Sequence, residues 1–284
     1  MIALTTENGE VLSPVFTRIL CDADSLLYRC GFAAEGEPIS HACHSLKLNL
    51  QGLMERLECD TIELNISGTG NFREEISVSA TYKGNRPGTK PSMYDEMREY
   101  LINVHGAKEC HGMEADDAVS IELFKNREKD SGVVLAAMDK DLWNTPGWHF
   151  NYDPRKLTLE YVTQQDADKA FIIQLLQGDK SDNVPGLPAT AEETIEKYNL
   201  PKQGRTGCGK ATAAKLLDGL YGMDALNRAW EAYSDYGKQS GWEDDATRAY
   251  FLEQGRLLWM TRGLNSDGSP VLWEVPRSCT FWEY

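Results

Sequence analysis

The sequence predicts an α/β protein built on an open sheet, and three observations predict it. Short β-rich apolar runs alternate with longer stretches of helical spacing. Four acid groups stand where such runs end or a helix begins: Asp22 and Asp24, Glu114 to Asp117, Asp139 and Asp141, Asp179 and Asp182. In an open α/β sheet the carboxyl ends of the strands share one rim, where ligands bind, so acids placed this way converge.

The run 15–21, Val-Phe-Thr-Arg-Ile-Leu-Cys, is a first core strand that ends at Asp22. A helical stretch follows over 25–32. From 38 to 59, Leu46, Leu50, Leu53, Met54 and Leu57 recur at helical spacing and predict a long amphipathic helix. Residues 61–66 form a second strand, which runs into the loop Ser67-Gly68-Thr69-Gly70. Tyr82-Lys83-Gly84-Asn85-Arg86-Pro87 sets two cations and an aromatic beside a glycine. A helix over 92–104 carries Met93, Met97, Tyr100 and Leu101 on one side.

Residues 133–138 form a strand that ends at the third acid group, and 149–152 with 156–162 form a hairpin around Asp153-Pro154. Residues 171–176 end a helix just before Gly178-Asp179. Gly207-Cys208-Gly209-Lys210 opens another helix through 217, whose first backbone N–H groups face outward as an anion site. Residues 223–258 read as two helices with acidic outer faces. The Trp-rich end, 272–275, packs back as a strand.

The length of 284 residues suffices for a full core, and 41% hydrophobic with 26% charged residues is an ordinary globular composition. No apolar stretch approaches a membrane span, and the first ten residues lack the pattern of a signal peptide, so the expected place is the cytoplasm. Seven cysteines with no Cys-x-x-Cys pair argue against a disulfide framework and against a zinc ribbon. The net charge of −15 counts against nucleic acid when read alone. Its distribution counts the other way: 200–217 carries Lys202, Arg205, Lys210 and Lys215 with no acid, and Arg73, Lys83, Arg86 and Lys90 cluster earlier.

Acids near a helix N-terminus are favourable in themselves, which would account for Glu114, Asp116 and Asp117 alone. The other three acid groups change that reading. Carboxylates held about 5 Å apart repel by roughly 3 kcal/mol per pair at an effective dielectric near 20 and so call for cations. All-oxygen ligation selects magnesium or manganese, and such sites usually perform phosphoryl chemistry.

In order along the chain, Asp22-Ala-Asp24, Tyr82-Lys83-Gly84-Asn85-Arg86, Glu114-Ala-Asp116-Asp117, Asp139-Lys-Asp141, Gly178-Asp179-Lys180-Ser181-Asp182-Asn183 and Gly207-Cys208-Gly209-Lys210 resemble the motifs of the 5′-nuclease family. That family holds the flap endonucleases, the 5′-nuclease domain of bacterial DNA polymerase I and the phage 5′ to 3′ exonucleases, the last being the most similar type. The resemblance implies a PIN-like core, with a central, mostly parallel sheet flanked by helices, a helix-two-turn-helix DNA-binding element and a helical C-terminal part. By this reading 1–176 is the nuclease core with a short arch at 82–112. Residues 177–222 carry the helix-two-turn-helix with an insertion at 189–203, and 223–284 form the helical end.

The same resemblance implies two Mg²⁺ or Mn²⁺ ions, with Asp22, Glu114, Asp116 and Asp139 nearer one and Asp117, Asp141, Asp179 and Asp182 shared or nearer the other. Lys83 and Arg86 would meet the scissile phosphate with Tyr82 close by. Arg73, Gly207, Gly209, Lys210 and Lys215 would hold nucleic acid, and a K⁺ ion would sit at the helix-two-turn-helix. The implied substrates are double-stranded, gapped or flapped DNA and, by extension, an RNA–DNA hybrid, with a replication polymerase or single-stranded-DNA-binding protein as partner and replication or repair as setting.

This chain departs from the family in three ways: Ser67-Gly68-Thr69 stands where many relatives carry a further aspartate, 189–203 interrupts the duplex-binding loop, and the arch is short. Two alternatives stand beside the family reading. Asp22-Ala-Asp24 with Gly178 to Asp182 also suits a haloacid-dehalogenase-like magnesium phosphatase, and a DNA-structure-binding protein without catalysis would keep the basic stretches.

Overall fold

The computed structural model describes residues 4–5, 11–12, 14–201, 207–279 and 282. Two short strands, β1 (Leu4–Thr5) and β2 (Val11–Leu12), pair antiparallel ahead of the main body. The chain then divides into two compact units.

The first unit holds 1–71, 88–164 and 260–270. Its sheet contains β3 (Arg18–Asp22), β4 (Ile62–Ser67), β5 (Lys108–Cys110), β6 (Val133–Ala137), β7 (Gly147–Asn151) and β8 (Thr158–Val162), in the order β5-β4-β3-β6-β7-β8. All pairings are parallel except β7 with β8, the expected hairpin. Every residue of β6 is buried, as a strand covered on both faces requires, and its sequence Val-Val-Leu-Ala-Ala shows no alternation. β3 starts later than its apolar run suggests, because Val15 is 80% exposed ahead of it.

The helices of this unit are α1 (Asp24–Ala33), α2 (Ile39–Leu57), α4 (Tyr94–His105) and α5 (Ala115–Lys125). α2 buries Leu46, Leu50, Leu53 and Leu57, the stripe its spacing predicts. α4 buries Tyr94, Met97 and Leu101 in the same core as α1 and α2. A second core cluster joins Val119 and Leu123 of α5 to Leu20, Leu135 and Met260. The edge strand β5 is too short and too polar, Lys-Glu-Cys, to be marked by hydrophobic pattern.

The second unit holds 72–87, 165–259 and 271–284. Its described helices are α3 (Phe72–Ile76), α6 (Gln164–Gln177, whose first residue counts with the other unit), α7 (Glu192–Lys197), α8 (Lys210–Leu216), α9 (Gly222–Gln239) and α10 (Asp244–Leu258). α7 lies within the expected insertion. Aromatic edges knit the core: Phe251 meets Trp230 at 5.3 Å and Tyr233 at 5.0 Å between ring centroids, and the Tyr233 hydroxyl donates to the Leu175 carbonyl at 2.6 Å.

The Trp-rich end does not form the expected strand. Trp273 is buried on Phe171 and Phe251, and its carbonyl accepts from Arg256 Nε at 3.3 Å, so a side chain takes the place of a ladder partner. Among the described residues no helix is long and apolar enough to cross a membrane.

Candidate active site

Sheet topology gathers the first set of acids. From β3 the chain moves one way to β4 and β5, then returns to place β6 on the other side of β3. The carboxyl ends of β3 and β6 therefore flank the point where strand order reverses, the usual crevice of such sheets. Asp22 closes β3, Asp24 opens α1, and Asp139 and Asp141 follow β6. Glu114 caps the N-terminus of α5, which carries Asp116 and Asp117 in its first turn.

Asp22 is 9% exposed, and its Oδ1 accepts the Asp24 N–H at 3.0 Å. Burial, together with the charges of Asp24, Asp139 and Glu114, pushes its carboxyl up to about 8. Asp24 accepts the Ser67 N–H with both carboxylate oxygens at 3.2 Å, and Ser67 Oγ accepts the Ala115 N–H at 3.0 Å. Ser67 thus ties the end of β4 to both acid-bearing helices. Sequence reasoning saw it only as a missing aspartate; its position at a strand end beside the acids was the available signal.

The acids differ in role. Asp117 is fully buried: Oδ2 accepts the Glu114 N–H at 3.3 Å and Oδ1 the Thr261 N–H at 3.3 Å, so it completes a capping box and anchors the returning segment. Asp116 Oδ1 accepts the Asp117 N–H at 2.7 Å. Asp139 is exposed and accepts the Asp141 N–H at 2.9 Å, while Asp141 pairs with Lys140 at 2.5 Å.

No three His, Cys, Asp or Glu side chains among the described residues close to metal-holding distance. The donor chemistry nevertheless fits a hard divalent cation, since every candidate is a carboxylate, and a cation offsets both the burial and the neighbouring charges that raise Asp22.

The other acids belong to the second unit, where two loops interlock. Asp179 is 6% exposed, and its Oδ1 accepts from the N–H and hydroxyl of Ser181 and from the Asp182 N–H. Asp182 receives the Tyr82 hydroxyl at 2.7 Å, Lys83 Nζ at 3.9 Å and the Arg86 guanidinium. Main-chain contacts reinforce this: Lys83 N–H to Asp182 O, Asn85 Nδ2 to Lys180 O and Asn183 Nδ2 to Thr81 O. The structure therefore brings Tyr82, Lys83 and Arg86 onto Asp182, which the sequence reading assigned to a metal.

The loop at 178–186 is fixed by two glycines at φ +68° and +66°. A Cβ on Gly178 would stand 2.3 Å from the Val184 carbonyl oxygen, and one on Gly186 would stand 2.3 Å from the Gly178 nitrogen.

Several expected nucleic-acid contacts are otherwise engaged. Arg73 is fully buried, not on a DNA surface; its Nε and Nη2 donate at 2.9 Å to the carbonyls of Leu257 and Trp259, closing the end of α10. The Gly207 N–H, expected to face outward, donates to the Pro188 carbonyl. Lys215 donates to the Asn199 carbonyl. Gly209 precedes α8 and Lys210 begins it, exposed. Lys202 and Arg205, and with them much of the loop expected to hold K⁺, lie outside the described residues.

No protein-family model matches the sequence. The chain is 27% identical over 198 residues to DNA polymerase I of Pseudomonas aeruginosa, which covers 62% of this chain and 21% of that protein. It is 26% identical over 197 residues to a 5′-3′ exonuclease of Buchnera aphidicola, which covers 62% of this chain and 67% of that protein. It thus spans about a fifth of the length of the polymerase relatives it matches. The catalytic core of Rad2, solved in complex with a DNA substrate, matches with a TM-score of 0.50 at 13% identity, over 93% of this chain and 85% of that one, a likeness of fold. The phosphatase alternative gains nothing from these relatives. In sequence, over 62% of its length, this chain is similar to a 5′-3′ exonuclease, and over most of its length it has the fold of the Rad2 catalytic core.

Proposed function

We propose that the chain is a metal-dependent 5′-nuclease that hydrolyses DNA phosphodiesters, acting chiefly as a 5′ to 3′ exonuclease on double-stranded ends. The observation that carries the reading is the gathering of Asp22, Glu114 and Asp139 about the strand-order reversal, in a chain whose relatives include a 5′-3′ exonuclease. Asp22, Glu114, Asp116 and Asp139 would hold two divalent ions, Mg²⁺ or Mn²⁺, which when bound offset charge on the attacking and leaving oxygens. Asp117 keeps its structural part at the head of α5.

Asp179 orders the loop that presents Asp182, and Asp182 in turn positions Lys83 and Arg86, whose cations would offset charge on the substrate phosphate. Lys210, exposed at the start of α8, would grip the duplex backbone without reading bases, and Lys215 would join it only by leaving the Asn199 carbonyl.

The preference for ends rests on the segment between Arg86 and Glu114. It contains 27 residues and one helix, α4, whose apolar side is buried in the first unit's core rather than raised as an arch. The test is digestion of 5′-labelled blunt and gapped duplex, and of a flap of about 20 nucleotides, with magnesium and with EDTA. Short products from the duplex end that vanish in EDTA support the reading. Faster cutting at the flap base than at the duplex end overturns the exonuclease assignment, and no EDTA-sensitive cleavage of any substrate overturns the nuclease assignment.

A further inference from the structure

The first unit contains a small pocket between α1, α2 and the β7–β8 turn, about 170 Å³ in volume. Arg29, Asn49, Gly52, Arg56, Tyr152 and Pro154 line it, and no acid does, in a chain with 44 acids against 29 bases. Of the two acids adjacent in sequence to lining residues, Glu55 is exposed and absent from the lining, and Asp153 is taken by Arg155 at 3.0 Å. Neither lining guanidinium forms an ion pair among the described residues, and the contact Arg29 makes is with the Met138 sulfur at 3.9 Å. By contrast, the larger groove along α9, about 670 Å³, is lined by Asp224, Glu231 and Asp235 as well as Arg228 and Lys238 and selects no sign of charge.

Gly52 supplies an independent observation. It stands in the middle of α2, where glycine is the least favourable residue after proline, and a Cβ there would meet nothing within 4 Å. Neither backbone conformation nor packing requires it, and what it does provide is room at the pocket wall. A basic residue in the last turn of a helix is ordinarily explained by the helix dipole, which would cover Arg56 but not Arg29 or Gly52.

We propose that this pocket binds a single phosphate group, held between Arg29 and Arg56, with Gly52 admitting it close to the helix. Ordinary small-molecule sites span about 300–1,000 Å³, so the volume admits an anionic head rather than a whole nucleotide. Planar guanidinium groups are suited to such an oxyanion. Arg29 follows Ser25 by four residues, on the same side of α1, and Ser25 Oγ meets the Tyr152 hydroxyl at 2.7 Å. The pocket thus opens one turn along α1 from Ser25, the residue after Asp24. The proposal does not depend on the nuclease reading.

The test uses the full chain in EDTA, with inorganic phosphate and a fluorescent DNA duplex as probes, on the native protein, Arg56→Ala and Gly52→Ala. Phosphate should raise the melting temperature of the native protein saturably, and both substitutions should reduce that response at least tenfold in apparent affinity. Gly52→Ala should at the same time raise the melting temperature without phosphate, so lost binding is not lost folding. If the site takes a backbone phosphate of DNA, Arg56→Ala also weakens duplex binding several-fold and lowers the salt slope by about one. If the source is free phosphate, duplex binding is unchanged while the phosphate response is lost. Variants that keep the native phosphate response overturn the proposal.

Discussion

The hydroxyl of Tyr82 donates to the carboxylate of Asp182 at 2.7 Å across a sequence separation of 100 residues, from a side chain only 6% exposed. A hydrogen bond to a charged group contributes roughly 1.5–3 kcal/mol, whereas an ion pair at the surface contributes about 0–1. Arg86, whose side chain is 49% exposed, forms the second kind of contact with the same carboxylate. Tyr82→Phe is therefore expected to lower stability by about 2 kcal/mol in urea unfolding and Arg86→Ala by less than about 1. In single-turnover cleavage the order reverses, with Arg86→Ala losing on the order of 100-fold. Equal stability losses would mean that the arginine, not the phenol, pins the loop.

The acids of the first unit separate in the same manner. Asp117→Ala removes the acceptor of the part-buried Glu114 N–H and of the buried Thr261 N–H and should cost about 2–4 kcal/mol by chemical denaturation. Asp139→Ala removes an exposed charge that repels Asp22, so stability should hold or rise while magnesium-dependent cleavage is lost and duplex binding persists. Native cleavage by purified Asp139→Ala would remove that residue from the metal set.

Arg73→Met keeps the apolar stem but leaves the Leu257 and Trp259 carbonyls without these donors. A loss of about 3 kcal/mol is expected, with duplex affinity unchanged for the folded fraction. Weaker DNA binding at native stability would restore the nucleic-acid role.

His149 makes the fold acid-sensitive. It is 4% exposed, its Nε2–H donates to the Thr145 carbonyl at 2.8 Å, and burial pulls its pKa down to about 4. The unfolded chain takes up a proton near pH 6.5 that the folded chain refuses until about pH 4, so stability is complete above the first value and falls as pH drops towards the second. The loss attributable to this group approaches about 3 kcal/mol. Comparing urea midpoints at pH 7.5 and 5 for the native protein and His149→Gln isolates it; identical pH dependence in both would assign the effect elsewhere.

Much of this was legible in the sequence, because period and end signals are local. Leu46, Leu50, Leu53 and Leu57 announced α2, and the fully apolar run at 133–137 announced a strand covered on both faces. Acids at strand ends could be gathered on one rim because a parallel sheet has only one such rim. What failed depended on partners distant in sequence. Nothing near Arg73 shows that two carbonyls at the end of α10 wait for it, and nothing near Asp182 shows that Tyr82 and Arg86 will claim it. The acid motif itself hid a division of labour, since only burial separates the capping Asp117 from its neighbour Asp116. Trp273 misled in the opposite direction: β-favouring residues were used for ring packing, with no strand alongside.

The glycines at 178 and 186 constrain how this protein can vary over evolutionary time. Most clashes introduced into a core can be relieved by a smaller neighbour, which gives a lineage a two-step path around the loss. Here each side chain would collide with main chain, the Val184 carbonyl in one case and the Gly178 nitrogen in the other, and no replacement elsewhere makes a backbone smaller. The two positions therefore have no suppressors, and the loop that carries Asp179 and Asp182 is inherited whole or lost.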